Sequence, residues 1–178
     1  MTDGKAGAGR VVLLGALCLL PGLLLISAQV ALLPSLLLFV TLWVLSLYDW
    51  ISFRLPNLLT LTLFLTGAMY VAVTPDIDVW RHIIGAGVGL AFFPAVNALY
   101  KMLRGRDGVG LGDAKLMAGI GMWLGWDQLP PMLLIASISG ILYGGCLALA
   151  NRQAIATAKI PFGPFLCLGA WLAWLYLP

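Results

Sequence analysis

Long runs of apolar residues constrain this chain more than any other feature of its sequence. Of its 178 residues, 62% are hydrophobic and only 10% are charged, and the mean hydropathy is +1.02. Soluble domains do not reach such values. In lipid the backbone N–H and C=O groups must bond to one another, and apolar runs of this length satisfy that requirement as helices. The sequence therefore predicts an all-α, polytopic membrane protein.

The apolar runs predict about seven spans, at residues 11–27, 32–48, 58–74, 82–103, 111–130, 132–150 and 160–176. The fifth is short: its apolar part runs only from 116 to 126. It can cross a bilayer core of about 30 Å only if the helix extends from 111 to about 130. The first run has a basic flank and could be a cleaved signal peptide, which would leave six spans. We expect it to be retained, with residues 1–10 as a tail and 11–178 as one membrane domain.

The basic residues indicate the orientation of the chain. Nine of the 10 lysines and arginines fall in alternate connections, and only Arg81 falls in the others. Cytoplasmic connections carry the excess of Lys and Arg in membrane proteins. We therefore expect the N-terminus and the connection before the fifth run to lie in the cytoplasm.

Two aspartates lie at the predicted cytoplasmic ends of apolar runs. Asp49 directly follows the second run, and Asp113 lies at the start of the fifth. Ionisable groups inside a membrane are costly and are functional candidates for that reason, although a carboxylate can also simply complement a helix N-terminus. Neighbouring carboxylates in a low dielectric hold one proton between them. One can then take a proton from water while the other protonates the carbonyl under attack, which would hydrolyse a peptide bond.

The residue pattern does not favour other chemistries. Cys18, Cys146 and Cys167 lie in apolar runs without a CxxC pair, and no HExxH pattern occurs, so neither a metal nor a cofactor is expected. The one histidine, His82, is predicted at the membrane face opposite both aspartates. The basic residues are not interleaved with aromatic residues as they are on a nucleic-acid-binding surface, so no nucleic acid partner is expected.

Glycines occur in two places that matter. Gly85, Gly87 and Gly89 lie in the middle of a predicted span, where small residues let helices approach closely, so we predict a helix-packing stripe. Gly110 and Gly112 precede Asp113. They could serve helix packing in the same way, or let a substrate backbone come close to the carboxylate.

Three stretches resemble the motifs of type IV prepilin peptidases. Asp49 followed by PNLLT at 56–60 is similar to the first aspartate motif of that family, and GLGDAKL at 110–116 is similar to its GxGD signature. The stretch IPFGPF at 160–165 resembles the motif of the last helix. GxGD alone is a weak pattern, but three motifs in the family's order and on the expected side of the membrane are specific.

The resemblance implies a polytopic aspartyl protease domain, at 11–178, in the bacterial inner membrane. Such an enzyme cuts the short basic leader from prepilins or type II secretion pseudopilins, at the cytoplasmic end of their hydrophobic helix. Asp49 and Asp113 would be catalytic, and the supporting motif residues are Pro56, Asn57, Gly110, Gly112, Lys115, Pro161, Phe162, Gly163 and Pro164. Long members carry a cytoplasmic insertion with paired cysteines, and many also methylate the new N-terminus. This sequence has no cysteine pair and is similar to a short form.

Two other interpretations stay open at this point. Tyr48–Asp49 and the GLGD stretch also resemble the motifs of presenilin and signal peptide peptidase, although no Pro-Ala-Leu triplet occurs near the C-terminus. Their substrates are membrane stubs rather than leader-bearing prepilins. A small transporter can also carry paired intramembrane carboxylates. It would hold them near the bilayer midplane, whereas both aspartates are predicted near one face.

Overall fold

The computed structural model describes residues 31–105, 110–151 and 161–177. Within these ranges the chain forms six helices and no strand, which confirms the predicted all-α class. The helices are α1 (Leu32–Ser52), α2 (Asn57–Val73), α3 (Val79–Arg104), α4 (Leu111–Leu124), α5 (Leu129–Asn151) and α6 (Gly163–Tyr176). The predicted tail at 1–10 and first span at 11–27 lie outside the described residues.

Several helices have the length and apolar surface of membrane spans. The helices α1 and α3, and the stretch Leu129–Leu147 of α5, are long and apolar enough to cross a membrane, while α2 and α6 are apolar but shorter. Large apolar side chains stay exposed on the outer faces of the bundle, as at Leu65, Leu99 and Ile141. Exposed apolar surface of this extent suits contact with lipid rather than with water.

Helix α4 lies at the centre of the bundle. Every residue from 116 to 125 is buried, and α4 packs against α3, α2 and α6. A helix that is apolar on all sides is suited to such a central position. The side chain of Trp123 is 1% exposed, and its indole N–H donates to the carbonyl of Leu63 on α2 at 2.9 Å. The aspartate at the start of α4 is therefore carried on the most enclosed element described.

Glycines bring α3 and α4 into backbone contact. A Cβ atom added to Gly85 would lie 2.5 Å from the carbonyl oxygen of Gly121, and one added to Gly89 would lie 2.4 Å from that of Met117. Only glycine allows helices to approach this closely. The predicted packing stripe is thus confirmed for Gly85 and Gly89. It is wrong for Gly87, where an added Cβ would meet no atom within 4 Å.

The predicted extent of the fifth span is wrong. Helix α4 ends at Leu124 after 14 residues, about 21 Å at 1.5 Å per residue, and does not continue to about 130. Gly125 ends it with a φ of 86°, a conformation that only glycine adopts readily. The turn that follows is held by α3, since the N–H of Trp126 donates to the carbonyl of Arg81 at 3.1 Å and Arg81 Nη2 donates to Asp127 Oδ2 at 2.7 Å. Helix α4 is enclosed by its neighbours and is shorter than a bilayer core of about 30 Å.

Candidate active site

A cavity of about 720 Å³ opens at one end of the bundle. The last turn of α1 and the first turns of α2, α4 and α6 meet there, with α3 forming one wall. Its lining consists of Asp49, Phe53, Arg54, Leu55, Asn57, Phe93, Gly110, Gly112, Asp113, Lys115, Pro161 and Phe162. The antiparallel order of the helices thus brings together segments that are distant in the sequence, including all three stretches of motif-like residues.

Asp49 lies in the last turn of α1, and its side chain is buried at 6% exposure. The helix runs through this residue to Ser52, as the shortness of the apolar run predicted. The backbone N–H of Gly163, at the start of α6, donates to Asp49 Oδ2 at 3.0 Å. A buried carboxylate is stabilised by such a donor, and a helix N-terminus favours negative charge. This hydrogen bond therefore holds Oδ2 of Asp49 in place, while Oδ1 takes no part in it.

Asp113 lies in the first turn of α4 and is half-buried. Its carboxyl group lines the same cavity as that of Asp49, and the two are close enough to interact electrostatically. Asp113 also lies near a helix N-terminus, where the unpaired backbone N–H groups of the first turn point toward negative charge. The two predicted carboxylates are thus brought together on different helices, within one cavity that is open to the outside of the bundle.

A hydrogen bond connects α4 to α2 beside the carboxylates. Lys115 Nζ donates to Asn57 Oδ1 at 2.8 Å, and both residues line the cavity. The side chain of Lys115 is otherwise exposed. This bond links the first turns of the two helices and places a cation at the edge of the site.

The remaining motif residues divide into two groups. Gly110, Gly112, Pro161 and Phe162 line the cavity, and Gly163 contacts Asp49 directly. Two prolines do not line it and begin helices instead. Pro56 precedes α2, where its carbonyl accepts the N–H of Thr60 at 3.2 Å, and Pro164 lies in the first turn of α6. Proline suits both places for two reasons. Its φ is fixed near the value of a helix start, and the N–H that it lacks would have no partner within the helix there.

Four lining residues were not predicted as part of the site: Phe53, Arg54, Leu55 and Phe93. The first three follow α1 directly, and Phe53 ends that helix with a φ of 51°. Their position between Asp49 and Asn57 is a signal that could have identified them. Phe93 lies on α3, far from either aspartate in the sequence, and no local pattern marks it.

His82 lies at the other end of the bundle, as predicted. It is buried in the first turns of α3, and its Nδ1 donates to the carbonyl of Met122 at 3.0 Å. Among the described residues, no three His, Cys, Asp or Glu side chains are grouped as a metal site would require. The acid–base groups that the described cavity offers are therefore the two carboxyl groups and Lys115.

The fold and the site define a class: a helical membrane protein with two carboxyl groups from different helices in one open cavity. The model of the type IV leader peptidase family matches residues 36–145, which include both aspartates. The chain belongs to this family.

Curated relatives agree with that assignment. The chain is similar to the prepilin leader peptidase/N-methyltransferase of Aeromonas salmonicida, with 36% identity over 145 residues, 81% of this chain and 49% of the relative. The protein of the same name from Escherichia coli is 38% identical over 136 residues, 74% of this chain and 60% of the relative. The chain thus spans about half the length of the curated relatives it matches. No solved structure matches it.

Proposed function

We propose that this chain is an aspartyl endopeptidase that removes the basic leader peptide of type IV prepilins or type II secretion pseudopilins. The observation that carries the proposal is the presence of Asp49 and Asp113 in one cavity at the same end of the bundle. Family membership supports it, as do the relatives named prepilin leader peptidase. Those names also include an N-methyltransferase activity. The proposal concerns the peptidase alone, because peptide hydrolysis is the chemistry that two carboxyl groups can perform.

The proposed mechanism needs one proton on the aspartate pair. The ionised carboxylate takes a proton from a water molecule, whose oxygen attacks the carbonyl carbon at the end of the leader. The protonated partner donates to the carbonyl oxygen, and a tetrahedral intermediate forms. The C–N bond then breaks as the protonated carboxyl group donates to the leaving amine, while the ionised carboxylate takes a proton from one hydroxyl of the intermediate, whose oxygen becomes the carbonyl oxygen of the new carboxyl group. The pair ends the cycle with one proton, as it began.

We also propose the setting of this reaction. The chain lies in the bacterial inner membrane with its N-terminus in the cytoplasm, and the cavity opens on the cytoplasmic face. The excess of Lys and Arg in the connections at that end supports this orientation. Seven apolar segments are proposed within the membrane, of which α4 is short and is enclosed by its neighbours rather than spanning the core by itself. The partners are the substrate's hydrophobic helix with its basic leader, and the surrounding lipid.

Cleavage of a purified prepilin tests the proposal directly. The protein in detergent or in liposomes is incubated with the prepilin, and the products are identified by mass spectrometry. We expect a single cut between the leader and the hydrophobic helix. Cleavage of a membrane stub within its apolar segment, with the prepilin left intact, would instead favour a protease of the presenilin kind.

The aspartate pair is tested by two substitutions. Asp49→Asn and Asp113→Asn keep the size of the side chain but cannot transfer a proton, so each is expected to abolish cleavage. Melting temperature in detergent should stay unchanged or rise slightly, because the substitution removes a buried, mutually repelling carboxylate. Asn at position 49 can still accept the N–H of Gly163.

Asp76→Asn is the matched control. Asp76 is exposed and lies outside the cavity, with a φ of 63°, a left-handed conformation that asparagine tolerates well. Cleavage by this variant should stay within about an order of magnitude of the unmodified protein, since surface substitutions change stability little. Full cleavage by Asp49→Asn or by Asp113→Asn would contradict the aspartyl-protease proposal and favour the transporter interpretation.

A further inference from the structure

A groove separates α2 from α3 on the outside of the bundle. Each of these helices packs along α4, but they make little contact with one another. The space between them is about 360 Å³ and opens away from the bundle. We call it the α2–α3 groove. Leu61 and Phe64 of α2 form one wall, Leu90 of α3 forms the other, and Ala118 of α4 lies at its floor.

The surface of the groove is apolar and shallow. Leu61 and Leu90 are each 52% exposed. Thr60 also lines the groove, but its hydroxyl donates to the carbonyl of Asn57 at 3.1 Å. The small side chain of Ala118 leaves room above α4 for another backbone to approach closely. A surface of this kind, within a membrane, suits the side of an apolar helix.

The groove adjoins the cavity that holds the aspartates. Asn57 and Lys115 line both spaces, and the hydrogen bond between them marks the boundary. Along α4, Asp113 precedes Ala118 by five residues, about 7.5 Å of helix. Along α2, the groove extends from Asn57 to Phe64, about two helical turns. A helix lying in the groove would therefore end beside the carboxyl groups.

We propose that the α2–α3 groove binds the first two turns of the substrate's hydrophobic helix, immediately after the bond that is cut. This inference rests on the proposed function, because a leader peptidase must hold the bond at the end of an apolar helix next to its aspartates. The groove has the apolar surface that this task requires, and it lies next to the cavity, with which it shares Asn57 and Lys115. Binding there leaves the basic leader on the far side of the aspartates, at the open end of the cavity.

Site-specific photo-crosslinking tests the groove. A benzophenone amino acid is placed at Leu61 or Leu90 in a chain that carries Asp113→Asn, which retains uncut prepilin. Ile141 on α5, which is 73% exposed on a different helix, is the control position. We expect crosslinks from the two groove positions to the first two turns of the prepilin's hydrophobic helix, and none from the control.

Other occupants would give other results. Crosslinks from the groove to residues 11–27 of the same chain, or to lipid alone, would overturn the proposal, as would equal crosslinking from the control position. Wild-type protein from the same preparation is assayed for prepilin cleavage. Cleavage without groove crosslinks rejects the groove and leaves the proposed function intact. Absence of cleavage rejects the proposed function and the groove with it.

Kinetics give a second, independent measurement. Leu61→Trp and Leu90→Trp fill the groove from opposite walls, and Ile141→Trp adds the same bulk on α5. For the groove variants we expect the KM for prepilin to rise about fivefold or more with little change in kcat, the sign of lost substrate binding. The control should match the unmodified protein. Unchanged KM in both groove variants would overturn the proposal.

Discussion

At the scale of single residues, the position of Gly163 is as informative as that of the aspartates. A Cβ atom built at this residue would lie 2.6 Å from Asp49 Oδ2, closer than side chains approach one another. Glycine is therefore needed for its N–H to reach the carboxyl oxygen at 3.0 Å. Gly163 affects the proposed reaction only through its hydrogen bond to Asp49, so it is a positioning residue.

We predict that Gly163→Ala lowers kcat for prepilin cleavage by about tenfold or more with little change in KM, because a small misplacement of a reacting group costs rate. The added methyl group must displace the carboxyl of Asp49. Steady-state kinetics with purified prepilin measure the effect. Gly145→Ala on α5 is the control, since a Cβ there would meet no atom within 4 Å. A Gly163→Ala variant with unchanged kcat would contradict the positioning role.

At the scale of elements, the enclosure of α4 depends on its contact with α3. Gly85 and Gly121 face each other, and a Cβ on either would lie 2.5 Å or less from the other's carbonyl oxygen. The two backbones are therefore nearly in contact. This proximity helps to enclose α4 from residue 116 onward, and it holds Asp113 at a fixed height in the bundle.

Gly85→Ala and Gly89→Ala are each predicted to destabilise the protein by about 1–3 kcal/mol, the usual cost of overpacking a well-packed interior. The reason is that main-chain atoms, rather than flexible side chains, block the new methyl group. Thermal melting in detergent, followed by tryptophan fluorescence, measures the effect. Gly87→Ala lies on the same helix with open space around it and should be neutral or stabilising. Equal melting of all three variants would show that the α3–α4 contact is not close-packed.

At the scale of the whole molecule, the two ends of the bundle differ in their chemistry. One end holds the cavity with both aspartates and Lys115. The other holds a smaller cavity of about 300 Å³, lined in part by His82 and Gln128, with the Arg81–Asp127 ion pair nearby. That pair is partly exposed, at 35% and 41%, so its contribution to stability is about 1 kcal/mol or less.

Labelling of single cysteines tests the proposed orientation. In a background without Cys18, Cys146 and Cys167, Pro75→Cys lies in the connection between α2 and α3, and Arg104→Cys lies at the end of α3. A membrane-impermeant maleimide is expected to label Pro75→Cys in intact cells and Arg104→Cys only after the membrane is permeabilised. Both positions are exposed in the structure, so access depends on the side of the membrane. Labelling of Arg104→Cys alone in intact cells would reverse the orientation.

The sequence by itself determined the class of fold and the two candidate carboxylates. Long apolar runs leave the backbone no partners except its own, so helices follow from composition and length alone. The extension of α1 through Asp49 followed from the same rule, since the apolar run was barely long enough to span. The aspartates stood out because an ionisable group within or beside such a run is costly. These inferences need no knowledge of which helices touch.

Only the tertiary structure decided how the site is closed and where α4 stops. The bond from Gly163 to Asp49 joins residues 114 positions apart, and Phe93 reaches the cavity through the packing of α3 on α4. The end of α4 at Gly125 was missed because the expected extent rested on the thickness of a bilayer core, whereas the turn is held by Arg81 of another helix. The hydrophobic pattern of a segment indicates whether that segment avoids water. Which surfaces meet depends on steric fit between distant segments, such as Gly85 against Gly121, and no single segment contains that information.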